Sequence, residues 1–279
     1  MMLTHPDSIT YETQNIAETE VFKKEKKEDM DTAFIKKWVR DEILGRGFDG
    51  ACGVAKFSIV YNDLIPVQKK ELEKILGNDI NTFSSKGSVV TMAIFHTEKA
   101  IESINTTRNG KTDYEKWNFY ANEYNLFNNI LNDVSSQIAS MMDGIPLKAT
   151  SELGRVRSVE DYYPYAKLSH RVVAEHAGLG TRGKNELIVT KQNGCAVRFN
   201  SFLTPRELKV EDELQEDLCE DCTACLDNCK ILSRKQNLQN YRQQCMEKIN
   251  ALNLKYPVCG ICVRACYENG HWRNKTRQK

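Results

Sequence analysis

The stretch Cys219-Glu-Asp-Cys-Thr-Ala-Cys-Leu-Asp-Asn-Cys229 carries four cysteines in the spacing C-x2-C-x2-C-x3-C. A solitary Cys245 follows, and Cys259-Gly-Ile-Cys-Val-Arg-Ala-Cys266 then adds three more. Short spacings of this kind let one turn of backbone present several thiolates to one iron–sulfur cubane, and in two-cluster ferredoxins the last cysteine of the run ligates the other cluster. The spacing therefore predicts a C-terminal ferredoxin-like module with two 4Fe-4S clusters.

The same rule divides the eight cysteines into two sets of four. The first cluster is assigned Cys219, Cys222, Cys225 and Cys266, and the second is assigned Cys229, Cys245, Cys259 and Cys262. Paired C-x2-C units also make four-cysteine zinc sites, so zinc remains an alternative to iron. Disulfides are the least favoured interpretation, because no signal peptide is visible and cytosolic thiols stay reduced. The remaining two cysteines, Cys52 and Cys195, stand in apolar stretches and are predicted to be core residues.

Bulk properties favour a protein of the cytoplasm. The chain has 279 residues and a formal net charge of +1, which gives no general attraction to nucleic acid or to a membrane surface. No apolar run approaches the roughly 18–20 residues of a membrane span. The sequence therefore predicts a cytoplasmic protein with no membrane partner.

Helices alternate with strands ahead of the cysteines, which favours an α/β (α+β) sandwich. Apolar periodicity predicts helices at Asp31–Leu44, Gln68–Leu76, Asp113–Met142 and Leu168–His176. Strands are predicted at Phe48–Phe57, Ser88–Phe95, Glu186–Thr190 and Cys195–Leu203, the last two forming a hairpin around Asn193-Gly194. The predicted organisation is a polar tail at 1–30, a reductase-like domain at 31–206, the cluster module at 207–270 and a basic tail at 271–279.

A glycine-rich segment separates the last predicted helix from the following strand. It reads Ala174-Glu-His-Ala-Gly-Leu-Gly-Thr-Arg-Gly-Lys-Asn-Glu-Leu-Ile-Val-Thr190. Glycines allow tight turns and a close approach of backbone to a ligand. A strand follows the glycines here, whereas in the dinucleotide fingerprint the glycines follow a strand and open a helix.

The segment Ala-Gly-Leu-Gly-x-x-Gly-Lys-Asn, a predicted hairpin, Leu203-Thr204 and the two cysteine groups together resemble the epoxyqueuosine reductase family. That family, and the related reductive dehalogenases, bind cobalamin beside two 4Fe-4S clusters. The resemblance runs from about Asp31 to Cys266. It implies that Gly178, Gly180, Gly183, Lys184 and Asn185 contact the corrinoid.

The resemblance also implies a proton donor shortly before the glycines. The family has an Asp in an Asp-Ser-x-Pro motif, and this chain has Asp161-Tyr-Tyr-Pro164 three residues farther upstream. The dehalogenases use a Tyr, for which Tyr163 is the candidate here beside its tyrosine neighbours. Asp161 and Tyr163 are therefore the predicted catalytic residues, and ordinary packing tyrosines are the alternative.

The leading hypothesis is an iron–sulfur, cobalamin-dependent oxidoreductase that removes the epoxide oxygen of a tRNA nucleoside during queuosine synthesis. A reducing electron donor of the flavodoxin or ferredoxin type is expected, with tRNA as a candidate partner. Many family members carry a further C-terminal helical domain that helps to bind tRNA, whereas only thirteen residues follow Cys266 in this sequence. A related reductase that acts on a small molecule is therefore kept as an alternative. The alternative from another class is a ferredoxin-like carrier with no substrate of its own.

Overall fold

The computed structural model describes residues 31–149, 155–162 and 166–276. The predicted tail at 1–30 lies outside the described residues. The helices of the described part, leaving aside two 3-10 turns, are Thr32–Gly45 (α1), Phe57–Asp63 (α2), Pro66–Leu76 (α3), Ile80–Lys86 (α4), Glu98–Ser103 (α5), Tyr114–Met141 (α6), Val159–Tyr162 (α7), His170–His176 (α8), Ala224–Asn228 (α9), Tyr241–Leu252 (α10), Ile261–Asn269 (α11) and Trp272–Thr276 (α12). The strands are Gly50–Lys56 (β1), Ser88–Phe95 (β2), Thr107–Arg108 (β3), Lys111–Thr112 (β4), Ile145–Pro146 (β5), Thr181–Arg182 (β6), Ile188–Val189 (β7) and Val197–Thr204 (β8).

The central sheet has the strand order β1-β2-β8-β5, and each neighbouring pair is antiparallel. The register places Cys52 opposite Met92 and Thr91 opposite Ser201. Successive side chains of a strand point to opposite faces, and the apolar residues of these strands are buried on both faces. Helices must therefore cover each side of the sheet.

Two apolar cores meet these two faces. On one face, Ile35 of α1 and Phe127 of α6 pack with Val54 and Met92 of the sheet. On the other, residues of α2, α3 and α8, including Leu72, pack with Val89 and Leu203. The result is the mixed helix-and-sheet sandwich that the sequence predicts.

A third core joins the cysteine segment to this sandwich. Ile104, after α5, and Trp117 of α6 lie in one buried cluster with Val263 and Cys266 of α11. The indole Nε1 of Trp117 donates to the carbonyl of Cys259 at 2.9 Å. The cysteine segment is thus fixed against the amino-terminal half of α6.

Most predicted elements are confirmed, with shifted ends. Asp31 and Asp113 lie just before α1 and α6 and cap them, because their carboxylates accept the backbone N–H three residues later. The prediction that the strands on either side of Asn193-Gly194 pair with each other as a hairpin is wrong. β7 pairs with β6, and β8 pairs with β2 and β5, so that only the bridge between Thr190 and Gly194 closes the turn. Among the described residues, no helix has both the length and the apolar composition needed to cross a bilayer.

Candidate functional site: two thiol groups beside a cleft

The first thiol group comprises Cys219, Cys222, Cys225 and Cys266. They come from the turn before α9, from α9 itself and from α11, and all four line one small cavity. Burial, followed by the charges of Cys266 and Cys219, raises the pKa of Cys225 to about 11. Buried, crowded thiols with a raised pKa stay protonated until a metal cation stabilises the thiolate form. Metal binding here would therefore release protons.

The second thiol group comprises Cys229, Cys245, Cys259 and Cys262. Cys229 ends α9, Cys245 lies in α10, and the last two flank the start of α11. Burial, followed by the charges of Cys259 and Cys229, raises the pKa of Cys245 to about 11. Each set of four that the spacing assigns thus lines one cavity, and it stays a prediction that the two sets hold iron and sulfide.

Gly260 shapes the backbone between the last two members of the second thiol group. Its φ of +83° lies in the left-handed region, which glycine adopts without a steric cost. An added Cβ would lie 2.6 Å from Cε1 of Tyr120 and 2.8 Å from Cδ1 of Ile104. A glycine is therefore required both by the backbone conformation and by the close approach of α5 and α6.

Cys195 lies against the first thiol group. It is buried in the shared core with Cys266, and its sulfur accepts a hydrogen bond from Nδ2 of Asn185 at 3.2 Å. The interaction between the two thiols raises the pKa of Cys195 and lowers that of Cys266, and the Cys195 thiol also lies 3.9 Å from the carbonyl oxygen of Cys262. Sequence reasoning places Cys195 in the core, as found, but no spacing signal marks its contact with a predicted ligand.

The glycine-rich segment packs against its own chain and against the first thiol group. An added Cβ would meet the carbonyl oxygen of Asp212 at 2.4 Å from Gly178 and that of Val189 at 2.3 Å from Gly180. A Cβ added at Gly183 would lie 3.4 Å from Sγ of Cys219.

The two polar residues after these glycines also lie close to the cysteines. The backbone of Lys184 hydrogen-bonds Cys219, which offsets part of the rise that burial causes in the pKa of that thiol. Asn185 is buried, and it lines the cavities of both thiol groups. The segment therefore positions the cysteine loop, while the predicted corrinoid contacts of the glycines, Lys184 and Asn185 stay a prediction.

Two adjoining cavities form a cleft between the sheet and the cysteine segment. The cluster cavity, about 340 Å³, is lined by the whole second thiol group and by apolar side chains including Leu232, Ile249 and Ile261. The arginine cavity, about 330 Å³, lies toward α8 and the start of β8. The residues that line both cavities are Tyr124, Tyr162, Arg171, Glu186, Leu187 and Arg242.

The predicted proton donors fall at the edge of this cleft. Asp161 is exposed on the short helix α7, and its backbone N–H donates to Oγ of Ser158 at 3.0 Å. The next residue, Tyr162, lines both cavities. Tyr163 lies outside the described residues, so the prediction for its side chain is untested. Tyr162 belongs to the set of tyrosines that the motif indicated, and of Asp161 and Tyr162 it is the one that lines the cleft.

His170 lines the arginine cavity as a neutral ring. Its Nδ1 lies 3.0 Å from Oγ of Ser201, and burial lowers its pKa to about 4. A ring that stays neutral near pH 7 orients neighbouring groups through its hydrogen bonds rather than through charge.

Comparisons with known proteins are consistent with the motifs. No protein-family model matches the chain. Curated epoxyqueuosine reductases do match: that of Staphylococcus aureus is 29% identical over 114 residues, 37% of this chain and 30% of that protein. That of Vibrio cholerae is 32% identical over 100 residues, covering 35% and 26% of the two chains. That of Bacillus subtilis is 37% identical over 83 residues, covering 30% and 20%.

The solved structures that align with this chain are also epoxyqueuosine reductases, but they superpose on it only weakly. An epoxyqueuosine reductase from Streptococcus thermophilus aligns with 82% of this chain and 64% of that one, at a TM-score of 0.44 and 16% identity. An epoxyqueuosine reductase bound to a modified tRNA-Tyr stem loop aligns with 70% and 52%, at 0.40 and 19%. The chain matches only 20–30% of the length of the three curated relatives. About a third of the chain is thus similar in sequence to the epoxyqueuosine reductases, the family that its cysteine and glycine motifs resemble.

Proposed function

We propose that this chain is an iron–sulfur oxidoreductase that holds one 4Fe-4S cluster in each thiol group. The observation that carries the proposal is the pair of four-thiol sets, drawn from separate elements and each gathered around its own cavity. Four thiolates are the donor set of a cubane. The first thiol group has three closely spaced cysteines and one distant one, and the second joins the close pair Cys259 and Cys262 to Cys229 and Cys245. The residues present therefore suit two clusters.

We further propose that a corrinoid occupies the cleft beside the second thiol group. The cluster cavity offers an apolar wall next to four thiols, and the arginine cavity extends it toward Tyr162 and His170. When bound, the clusters would supply single electrons and the corrinoid the reductive chemistry. The chain's own part is to shield this cleft from water and to place a proton donor at its wall.

The proposed reaction is the reductive removal of an epoxide oxygen from a tRNA nucleoside, as the relatives' name indicates. A departing oxygen needs a proton, and a positioned general acid contributes roughly 10²–10⁴-fold. Asp161 is the predicted donor from the motif, and Tyr162 is the neighbouring residue whose side chain reaches the cleft. A flavodoxin or ferredoxin is the proposed electron source, and a small molecule is the alternative substrate.

Anaerobic reconstitution with iron, sulfide and cobalamin tests the proposal. About eight irons per chain, with matching sulfide and a bound corrinoid spectrum, are expected for two cubanes. Zinc with no sulfide would refute the clusters, and eight irons without corrinoid would favour the electron carrier. Cys245→Ala should lower the iron content by about half, whereas Cys52→Ala, which removes a thiol in the sheet core that lines neither cavity, should leave it unchanged.

The substrate is tested separately in cells. A deletion strain should accumulate the epoxide form of the tRNA nucleoside, and the wild-type chain should restore the reduced form. Asp161→Asn and Tyr162→Phe, each with full iron content, then identify the proton donor by loss of turnover. Unchanged nucleosides in the deletion strain would exclude the tRNA reaction and leave the small-molecule reductase.

A further inference from the structure

Four arginines from four separate elements converge on the arginine cavity. They are Arg171 of α8, Arg182 of β6, Arg198 of β8 and Arg242 of α10. The acidic residues that line the same cavity are Asp63 and Glu186. Asp63 lies 3.4 Å from His176, and Glu186 lies 3.1 Å from Lys235 and 4.0 Å from Arg242. Arg182 pairs with Glu175 at 2.6 Å. The arginine charges therefore exceed the acidic charges around this space.

Arg171 and Arg198 have no acidic partner within ion-pair distance in the described part of the chain. Arg171 donates to the backbone carbonyl of Glu186. Burial, followed by the charge of Arg242, lowers the pKa of Arg171. Arg198 donates to Oδ1 of Asn128 at 2.8 Å, and its guanidinium lies 4.1 Å from the ring centre of Tyr124.

A partly buried cation that faces other cations is costly unless an anion compensates it. Guanidinium groups bind phosphate through paired N–H donors, which makes clustered arginines suited to phosphate recognition. The aromatic ring of Tyr124 and the ring of Phe199 give the same cavity an apolar wall. The arrangement is that of a site for a ligand with a phosphate group and an apolar or aromatic body.

We propose that the arginine cavity binds the phosphate group of a ligand, with Arg171 and Arg198 as its principal donors. The inference deepens the proposed function, because the phosphate would belong either to the substrate or to the nucleotide tail of the corrinoid. It does not depend on the clusters, since the two principal donors, Arg171 and Arg198, belong to the α/β body.

Calorimetric titration of the full chain with inorganic phosphate at low ionic strength tests the inference. One saturable site is expected, with phosphate raising the thermal midpoint as its concentration rises. Arg171→Gln and Arg198→Gln should each weaken binding by at least about tenfold, the effect of losing hydrogen bonds to a charged group. Arg108→Gln is the matched control, because Arg108 lies on β3 with 65% of its side chain exposed. This variant should bind phosphate with the affinity of the wild type.

Two further measurements distinguish the sources of the phosphate. If the site holds the corrinoid tail, Arg171→Gln weakens cobalamin binding but spares cobinamide, which lacks the nucleotide phosphate. If the site holds the substrate, phosphate binds equally to the free and the corrinoid-loaded chain. Either result supports the inference, and Arg171→Lys, which keeps the charge but loses the planar fork, should fall between wild type and Arg171→Gln.

The inference is overturned if phosphate shows no saturable binding with or without corrinoid. It is also overturned if folded Arg171→Gln and Arg198→Gln bind phosphate as the wild type does. Failure of the proposed function appears instead in the iron and corrinoid analyses, so the two failures are distinguishable.

Discussion

Substitution of Gly260 by alanine should destabilise the protein through two separable costs. The first is the backbone conformation at φ +83°, which costs an L-residue about 1–2 kcal/mol. The second is the contact of the new Cβ with Tyr120 and Ile104 at 2.6 and 2.8 Å, both below normal van der Waals separation. Overpacking a core by one methyl group costs about 1–3 kcal/mol. The free energy of unfolding should therefore fall by about 2–5 kcal/mol in total.

Gly47→Ala isolates the backbone cost. Gly47 has φ +85°, close to that of Gly260, but an added Cβ there meets no atom within 4 Å. Gly47→Ala should therefore lower the free energy of unfolding by about 1–2 kcal/mol only. The excess cost of Gly260→Ala measures the contact with α5 and α6.

Urea unfolding of the wild type and both variants, followed by far-UV circular dichroism, measures these free energies. Iron analysis after reconstitution adds a second readout, because a displaced Gly260 moves Cys259 and Cys262 apart from their partners. Equal destabilisation by Gly260→Ala and Gly47→Ala would refute the reasoning, since the contact with Tyr120 and Ile104 would then cost nothing.

Three further predictions concern the same region and the cleft. Trp117→Phe removes the donor to the Cys259 carbonyl and should cost about 1–3 kcal/mol in urea unfolding; an unchanged midpoint would contradict this. Cys195→Ala removes the thiol whose interaction with Cys266 lowers the pKa of that sulfur, and it should make the potential of one reconstituted cluster more negative, measured by redox titration against Cys52→Ala. His170 is buried as a neutral ring with its pKa lowered to about 4 from 6.5. The unfolded chain therefore binds more protons between these values, and stability should fall as pH drops from about 6.5 to 4. Urea unfolding at both ends of this range should show a smaller loss for His170→Asn, and an equal loss would refute the role of His170.

Local pattern predicted the elements whose signals are contained in a short stretch. The apolar face of α6 recurs every three or four residues and Asp113 caps it, so its buried face and its start follow from the sequence. The predicted hairpin at Asn193-Gly194 failed because the turn signal is local, whereas the partner of β8 is chosen over long range. β2 and β5 pair with the two edges of β8, and this long-range pairing outweighs the local hairpin.

By itself, the cysteine spacing predicted the division of the eight thiols into two sets of four and an iron–sulfur cofactor, because the short spacings within each run follow the ligation pattern of two-cluster ferredoxins. The sequence also determined the family resemblance through the glycine-rich segment. Only the tertiary structure decided that Cys195 contacts Cys266, that Tyr162 rather than Asp161 lines the cleft, and that Arg171, Arg182, Arg198 and Arg242 share one cavity. These residues lie on separate elements, and the packing that brings them together depends on contacts with no period in the sequence.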